Sequence, residues 1–160
     1  MKKLKIYLDT SVISYLDQQD APEKMADTLK FWEKLQTEEF DVFISPVVIE
    51  ELKRCDTKKY SYLQEYLNKV SISSLPKNDE IESLARLYIK NGILTEKSAD
   101  DCLHIAYACV HNCDMIVSWN FKHIVNYKTI SGVKSVNAVG RIQGNGDLYP
   151  VYVYRKGGRQ

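Results

Sequence analysis

Short apolar runs that favour β-strands alternate with segments of helical periodicity through the first 125 residues, and no other feature limits the fold of this chain as strongly. The strand-like runs are residues 4–8, 41–44, 70–73 and 114–118. Helical periodicity follows Asp9, Pro22 and Pro46 and recurs over residues 60–67, 81–89 and 99–108. This pattern predicts a mostly parallel sheet flanked by helices, with functional groups gathered at the carboxyl ends of its strands.

Length and hydropathy indicate one soluble domain. The 160 residues fit a single core better than two, and no apolar run approaches the roughly 20 residues that span a bilayer. We therefore expect a cytoplasmic protein without a membrane partner. The predicted domain covers residues 1–154, with a turn at 144–146 and a late edge strand within 148–154. Residues 155–160 are predicted to be a disordered tail.

The cysteines and the charge pattern carry weaker signals. None of the four cysteines forms a C-x-x-C pair, so reduced thiols in the core are favoured over a zinc site. Residues 121–160 contain seven lysines and arginines and one acid, whereas residues 1–120 contain 15 basic and 20 acidic residues. An acidic body with a basic end suits a protein that holds metal in one place and phosphate in another, but taken alone the pattern favours an ordinary solvated surface of mixed charge.

Three acids fall where the predicted topology brings elements together. Asp9 ends the first strand, Glu51 lies in the helix after the second, and Asp101 lies early in an apolar helix. Alone, Asp9 is also an ordinary helix N-cap. Three converging carboxylates repel one another unless a cation intervenes, and oxygen ligands suit Mg²⁺ or Mn²⁺.

Four motifs occur in the order found in PIN domains, and the chain resembles that family over roughly residues 4–125. They are LDTS at 8–11, ISPVVIEEL at 44–52, ADDCLHIA at 99–106 and IVSWNFKH at 116–123. The resemblance implies a three-layer α/β/α sandwich with a mainly parallel sheet. It also implies a metal-dependent ribonuclease site, and the chain is most similar to the VapC-like toxin nucleases and their unpaired relatives.

By this resemblance the catalytic, metal-binding acids are Asp9, Glu51 and Asp101. Glu50 and Asp100 are the alternatives one residue away, which on a helix means a rotation of about 100°. Asn120 stands where many relatives carry a fourth aspartate, and we interpret it as an auxiliary metal ligand through its carbonyl oxygen.

The remaining site candidates are hydroxyl, basic and imidazole groups. Thr10 and Ser11 can assist by hydrogen bonding to metal-bound water or phosphate, or they can cap the following helix. Lys122 and Arg141 are candidates for RNA binding. His104 and His123 are interpreted as packing or supporting histidines rather than general bases.

The leading hypothesis is a Mg²⁺- or Mn²⁺-dependent endoribonuclease in which water is the nucleophile. The resemblance further implies that it is the toxin of a toxin–antitoxin pair, with a cognate antitoxin and a homodimer as expected partners. The alternative is a weak or inactive PIN domain that binds RNA or protein, motivated by Asn120 and by the unusual C-terminal stretch. A phosphotransferase using Asp9 is disfavoured because LDTS lacks the second acid of D-x-D.

Overall fold

Strand β1 (Leu4–Leu8) lies at the centre of a parallel sheet whose strand order is β3-β2-β1-β4-β5. The other strands are β2 (Phe40–Ile44), β3 (Ile72–Ser74), β4 (Met115–Val117) and β5 (Tyr152–Tyr154). The computed structural model describes residues 2–142 and 152–154, with side chains for residues 2–139. All four strand pairings in this part of the chain are parallel, as predicted.

Helices connect the strands, because parallel neighbours need crossover connections. They are α1 (Thr10–Ser14), α2 (Pro22–Leu35), α3 (Pro46–Lys53), α4 (Thr57–Leu67), α5 (Asp79–Lys90), α6 (Ala99–Val110) and α7 (Tyr127–Ile142). Short 3₁₀ turns occupy Tyr15–Asp17 and Glu96–Ser98. Within the described residues, no helix has the length and apolar character needed to cross a membrane.

The core is built around β1, where Ile6, Tyr7 and Leu8 are consecutive and all buried. Successive residues of a strand point to opposite faces, so burial of all three requires cover on both faces of the sheet. Helix α6 contributes buried residues such as Cys102 and Ile105 to the same core, and its His104 contacts the Tyr7 hydroxyl. The predicted three-layer α/β/α sandwich is therefore confirmed.

The strand order creates a crevice between β1 and β4. The chain runs outward from β1 through β2 to β3, and β4 and β5 then lie on the opposite side of β1. Parallel sheets bind ligands where the order reverses, beyond the carboxyl ends of the strands. Asp9 directly follows β1 and Ser118 directly follows β4, so both residues lie at this switch point.

The helix predicted to stop near Asn91 and Gly92 does so through a Schellman motif. The N–H of Ile93 donates to the carbonyl of Tyr88, and the N–H of Gly92 donates to that of Ile89, each at 3.0 Å. Gly92 has φ +72°, a conformation that glycine adopts without steric cost.

The remaining differences from the predicted elements are at boundaries and at the C-terminal end. Helix α7 has no counterpart among the predicted elements. Strand β5 covers the last three positions of the predicted strand at 148–154, and the first four positions lie outside the described residues. The predicted turn at 144–146 and the tail at 155–160 lie outside the described residues, and the domain limits of 1–154 stay a prediction.

Candidate active site

Asp9 is buried at the switch point and holds three hydrogen bonds. Its Oδ1 accepts from the Ser11 hydroxyl at 2.6 Å and from the N–H of Val12 at 3.3 Å, and its Oδ2 accepts from the Ser118 hydroxyl at 2.6 Å. The side chain therefore caps α1, which was one of the two roles expected for it. Burial raises the pKa of Asp9, although the charge of His104 and these hydrogen bonds act in the opposite direction.

Backbone groups of the loop after β4 orient both hydroxyls towards Asp9. Ser11 Oγ accepts from the N–H of Trp119 at 2.9 Å, and Ser118 Oγ accepts from the N–H of Asn120 at 2.9 Å. Because each hydroxyl oxygen already accepts a bond, its proton is directed to the carboxylate. Asp9 thus connects the end of β1 to the loop that follows β4.

Glu51 projects from α3 and accepts two hydrogen bonds at the same oxygen. Its Oε1 accepts from the Thr10 hydroxyl at 3.0 Å and from Nε2 of His104 at 2.6 Å. Burial disfavours this carboxylate, but the hydrogen bond and charge of His104 and the bond from Thr10 outweigh burial and lower its pKa. Glu50, the alternative acid, is exposed.

Asp101 lies in the first turn of α6 beside two residues of the loop after β4. Its Oδ1 accepts from the Asn120 amide at 3.2 Å, and its Oδ2 lies 3.2 Å from Nδ1 of His123. Burial raises the pKa of Asp101, and the charges of Asp9 and Glu51 add to that rise against the opposing effect of both histidines. These mutual charge effects place the three acids in one electrostatic site.

Asp100, the alternative to Asp101, has a different environment. Its Oδ2 lies 3.4 Å from Nη1 of Arg54, and both side chains are solvent-exposed by about half or more. A surface ion pair of this kind contributes little to stability. Among the two pairs of competing acids, Glu51 and Asp101 are the members that contact the other site residues.

The Asn120 side chain uses both ends of its amide inside the protein. Its Nδ2 donates to Asp101, and its Oδ1 accepts from the N–H of His123 at 2.9 Å. The carbonyl expected to assist metal binding therefore helps to fold the loop. A carbonyl oxygen has a second lone pair, so the role of auxiliary ligand stays a prediction.

His104 is buried and joins Glu51 to a hydroxyl pair. Its Nδ1 lies 2.6 Å from the Tyr7 hydroxyl, which lies 2.7 Å from Ser45 Oγ. Burial disfavours the protonated imidazole, but the bond to Glu51 and the charges of Asp9, Glu51 and Asp101 raise the pKa of His104. The expectation that His104 supports the site through packing agrees with this position.

The acids fit a hard divalent cation in donor type. All three offer carboxylate oxygens, which Mg²⁺ and Mn²⁺ prefer, and no lysine or arginine among the described side chains forms an ion pair with Asp9, Glu51 or Asp101. In their present orientations, however, no three His, Cys, Asp or Glu side chains within residues 2–139 are arranged to hold one ion. Each acid already accepts hydrogen bonds from the protein, so an ion would replace part of these contacts.

The predicted RNA-binding residues are less well defined than the acids. Lys122 is exposed in the loop between β4 and α7, close in sequence to His123. The Arg141 side chain lies outside the described residues. Their proposed contacts with RNA stay predictions.

Sequence reasoning missed three residues that support the acids. Ser118 donates to Asp9, and Tyr7 and Ser45 connect to Glu51 through His104. Ser118 and Asp9 are 109 positions apart, so only the adjacency of β1 and β4 brings them together. Tyr7 belongs to an apolar run and looked like an ordinary core residue. The available signal was its hydroxyl, because a buried tyrosine needs a hydrogen-bond partner.

Residues 6–122 match a family model described as the PIN domain. No curated protein sequence matches the chain. Among solved structures, the chain is similar to one in the crystal structure of VapBC2 from Rickettsia felis bound to a DNA fragment from their promoter. The TM-score is 0.57 at 14% sequence identity, and the alignment covers 94% of this chain and 98% of that one. At this identity the likeness is one of fold.

Proposed function

This chain belongs to the PIN domain family, whose members are generally nucleases, and we propose that it is a metal-dependent endoribonuclease using Asp9, Glu51 and Asp101. One observation carries the proposal: the residue after β1, helix α3 and helix α6 each contribute a carboxylate, and the charges of Asp9 and Glu51 both act on Asp101. Burial raises the pKa of Asp9 and Asp101, and a cation beside them would favour their charged forms.

In this proposal the three acids supply oxygen ligands to Mg²⁺ or Mn²⁺, and Asn120 adds a neutral one. The bound ion would supply positive charge to the scissile phosphate and favour activation of the attacking water. Ser11 and Ser118 keep Asp9 in place, and Thr10 does the same for Glu51. Lys122 and Arg141 would contact the RNA backbone without reading its bases.

Cleavage assays with matched variants test this site. Purified protein is incubated with single-stranded and stem-loop RNAs and Mg²⁺ or Mn²⁺. We expect Asp9→Asn, Glu51→Gln and Asp101→Asn each to reduce the cleavage rate by at least about 100-fold, in the range found when one essential interaction with reacting groups is removed. Chelation by EDTA should have the same effect.

The neighbouring acids provide the controls. Asp100→Asn and Glu50→Gln remove one charge at the adjacent positions, which face Arg54 and solvent. These variants should cleave at close to the wild-type rate. Full activity in Asp101→Asn, or activity lost in Asp100→Asn instead, would show that the assigned acids are wrong or that a contaminating nuclease is present.

We further propose that the protein is the toxin of a toxin–antitoxin pair. The support is the shared fold with a chain of the VapBC2 structure from Rickettsia felis. Induction of the chain alone should arrest growth, and co-expression of the product of an adjacent reading frame should relieve the arrest through a stable complex. Light scattering of the purified chain would test the homodimer. Growth unaffected by induction of an RNA-cleaving protein would exclude the toxin role.

A second candidate function is an RNA- or protein-binding PIN domain without activity. The observation that favours it is that both carboxylate oxygens of Asp101 already have partners within the protein, Asn120 and His123. Calorimetry separates the two functions. Retained RNA binding without detectable binding of Mg²⁺ or Mn²⁺ would favour the inactive module.

A further inference from the structure

A buried chain of three polar side chains lies behind Glu51, and the proposed chemistry does not use it. It consists of Ser45, Tyr7 and His104, each no more than 2% exposed. The distances along it are 2.7 Å, 2.6 Å and then 2.6 Å to Oε1 of Glu51. Buried polar networks are stable only when all members have partners, and each member of this one does.

The contact between Ser45 and Tyr7 takes the place of a more common interaction, the N-terminal capping of a helix. It precedes α3 in the extended conformation of an N-cap residue, with φ −132° and ψ 169°, yet its side chain forms no capping bond. Serine at this position usually accepts from a backbone N–H of the first helical turn. Here its hydroxyl contacts Tyr7 instead. Helix α3 therefore has no side-chain cap, and Ser45 is the end of the polar chain of Ser45, Tyr7 and His104.

The polar chain of Ser45, Tyr7 and His104 has two possible arrangements of its protons, and it can donate to Glu51 in both. A carboxylate only accepts, so Nε2 of His104 carries a proton and donates to Glu51. If Nδ1 carries none, the Tyr7 hydroxyl donates to it and accepts from Ser45. If Nδ1 carries a proton, both hydroxyl bonds reverse, and every group still has a partner. The position of Oε1 is therefore the same in both arrangements.

The other oxygen of Glu51 is left available. No hydrogen bond within residues 2–139 involves Oε2, and the Glu51 side chain is 26% exposed. His104 lies three residues after Asp101 on α6, so one imidazole fixes α3 relative to the helix that bears Asp101. Tyr7 lies on β1 two residues before Asp9, which directly follows the strand.

We propose that Ser45, Tyr7 and His104 are positioning residues that fix Oε1 of Glu51 and so present Oε2 to a divalent cation. The inference rests on the proposed function, because that function places the cation beside Glu51. Outer hydrogen-bond partners of metal-binding side chains typically change metal affinity by 10-fold to 100-fold when removed. We expect removal of a side chain from the polar chain of Ser45, Tyr7 and His104 to change metal affinity within that range.

Two buried tyrosines provide a matched test. Tyr7→Phe removes the hydroxyl between Ser45 and His104, whereas Tyr88→Phe removes an equally buried hydroxyl that donates to Asn137 on α7. Each variant removes a buried hydroxyl with two hydrogen-bond partners, which are Ser45 and His104 for Tyr7 and Cys109 and Asn137 for Tyr88, and only the first change affects Glu51. The dissociation constant for Mn²⁺ is measured by calorimetry, and the melting temperature is measured in EDTA.

We expect both variants to melt below the wild type, and only Tyr7→Phe to bind Mn²⁺ about 10-fold or more weakly. Ser45→Ala should weaken Mn²⁺ binding in the same direction by a smaller factor, and it keeps the test valid if Tyr7→Phe does not fold. Equal Mn²⁺ affinities in Tyr7→Phe, Ser45→Ala and Tyr88→Phe would overturn the inference.

A spectroscopic measurement separates this inference from the proposed function. If the wild type binds no Mn²⁺, the metal-dependent function fails. The ¹⁵N chemical shifts of the His104 imidazole in metal-free protein then still test whether Tyr7 positions His104. They should change in Tyr7→Phe and stay unchanged in Tyr88→Phe, and no change in either variant would exclude Tyr7 as the residue that positions His104.

Discussion

Asn120 gives the candidate site a composition that differs from a site of four acids. Its amide donates a hydrogen bond at 3.2 Å to Asp101, an acid whose pKa is raised by burial and by its acidic neighbours, and it does so without adding a negative charge. An aspartate at this position would bring two carboxylates together. The amide thus favours the metal-free protein, whereas a fourth acid would favour the metal-bound one.

We predict that Asn120→Asp lowers the stability of the metal-free protein and increases its affinity for Mn²⁺. Loss of the amide donor leaves Asp101 facing a like charge, which should cost roughly 1–3 kcal/mol in the free energy of unfolding in EDTA. Added negative charge should tighten Mn²⁺ binding. Thermal melting in EDTA and calorimetry with Mn²⁺ measure the two effects.

Asn126→Asp is the matched control for that change. Asn126 lies in the same loop, and its amide donates to the carbonyls of Phe121 and Lys122 rather than to an acid. It should lose stability without gaining affinity for Mn²⁺. An Asn120→Asp protein that melts like the wild type in EDTA and binds Mn²⁺ no more tightly would contradict the prediction.

At the residue scale, motif order predicts the acids but not what holds them. Asp9, Glu51 and Asp101 can be named because each lies within a short local pattern. Ser118 contacts Asp9 only because β4 lies beside β1, and the contact between Tyr7 and His104 spans 97 positions. Such partners depend on tertiary structure, and no local pattern of residues specifies them.

Helix α7 shows what hydrophobic periodicity cannot find. Its buried positions include Thr129, Val133 and Asn137, spaced four apart, and two of the three are polar. Gly132 and Gly140 further reduce helix propensity. The helix is stabilised by tertiary contacts, such as the bond from the Tyr88 hydroxyl to Asn137 at 2.8 Å, and by Asn126, which accepts from the N–H of Thr129 at 2.9 Å. The other helices were predictable because their buried faces are mainly apolar.

We predict that Gly132→Ala destabilises the protein although alanine is the better helix former. A Cβ at this position would overlap Cδ1 of Ile93 and approach its Cγ2 to 3.2 Å. Overpacking of a filled site typically costs about 1–3 kcal/mol, against a gain of about 1 kcal/mol from helix propensity. Urea denaturation measures the net change in the free energy of unfolding.

Shortening Ile93 tests the cause of that loss. Ile93→Val removes Cδ1, so the double variant Gly132→Ala with Ile93→Val should recover part of the stability relative to the sum of the single changes. Lys134→Ala, at an exposed position of α7, should have little effect. Strict additivity of the Gly132 and Ile93 substitutions would show that the two residues do not clash.

For the whole molecule, burial of the acids opposes folding, and the proposed cation would offset this cost. Burial of Asp9 and Asp101 raises the pKa of both, so their charged forms are less favourable in the folded protein than in the unfolded chain. A ligand that binds only the folded state stabilises it by about 2.7 kcal/mol at 100 times its dissociation constant. If the proposed ion binds there, the stability of the fold is therefore coupled to occupancy of the site.

We predict that saturating Mn²⁺ raises the melting temperature of the wild type by roughly 5–10 °C. Asp101→Asn should lose most of this increase, because it removes one of the proposed ligands. In EDTA the Asp101→Asn protein should melt no lower than the wild type, because the change removes a negative charge that Asp9 and Glu51 repel. Asp100→Asn should keep the full increase. An unchanged Mn²⁺ effect in Asp101→Asn would place the ion elsewhere.

Cysteine labelling tests whether the described part of the molecule opens as one unit. Cys102, Cys109 and Cys113 are buried free thiols, and burial raises their pKa values to about 11, about 11 and about 12. Cys55 is only partly buried. Since the thiolate is the reactive form, we expect iodoacetamide at pH 8 to modify Cys55 rapidly in the native protein and the other three only after unfolding.

Peptide mass spectrometry at increasing urea concentrations distinguishes cooperative from local opening. Cys102 follows Asp101 near the start of α6, whereas Cys109 contacts Tyr88 and Asn137 near its end. In a cooperative molecule both thiols become reactive over the same urea range, and Cys55→Ser removes only the rapid phase. If Cys102 reacts well before Cys109, the start of α6 opens separately, and the acid that it carries would be positioned by local order rather than by the whole fold.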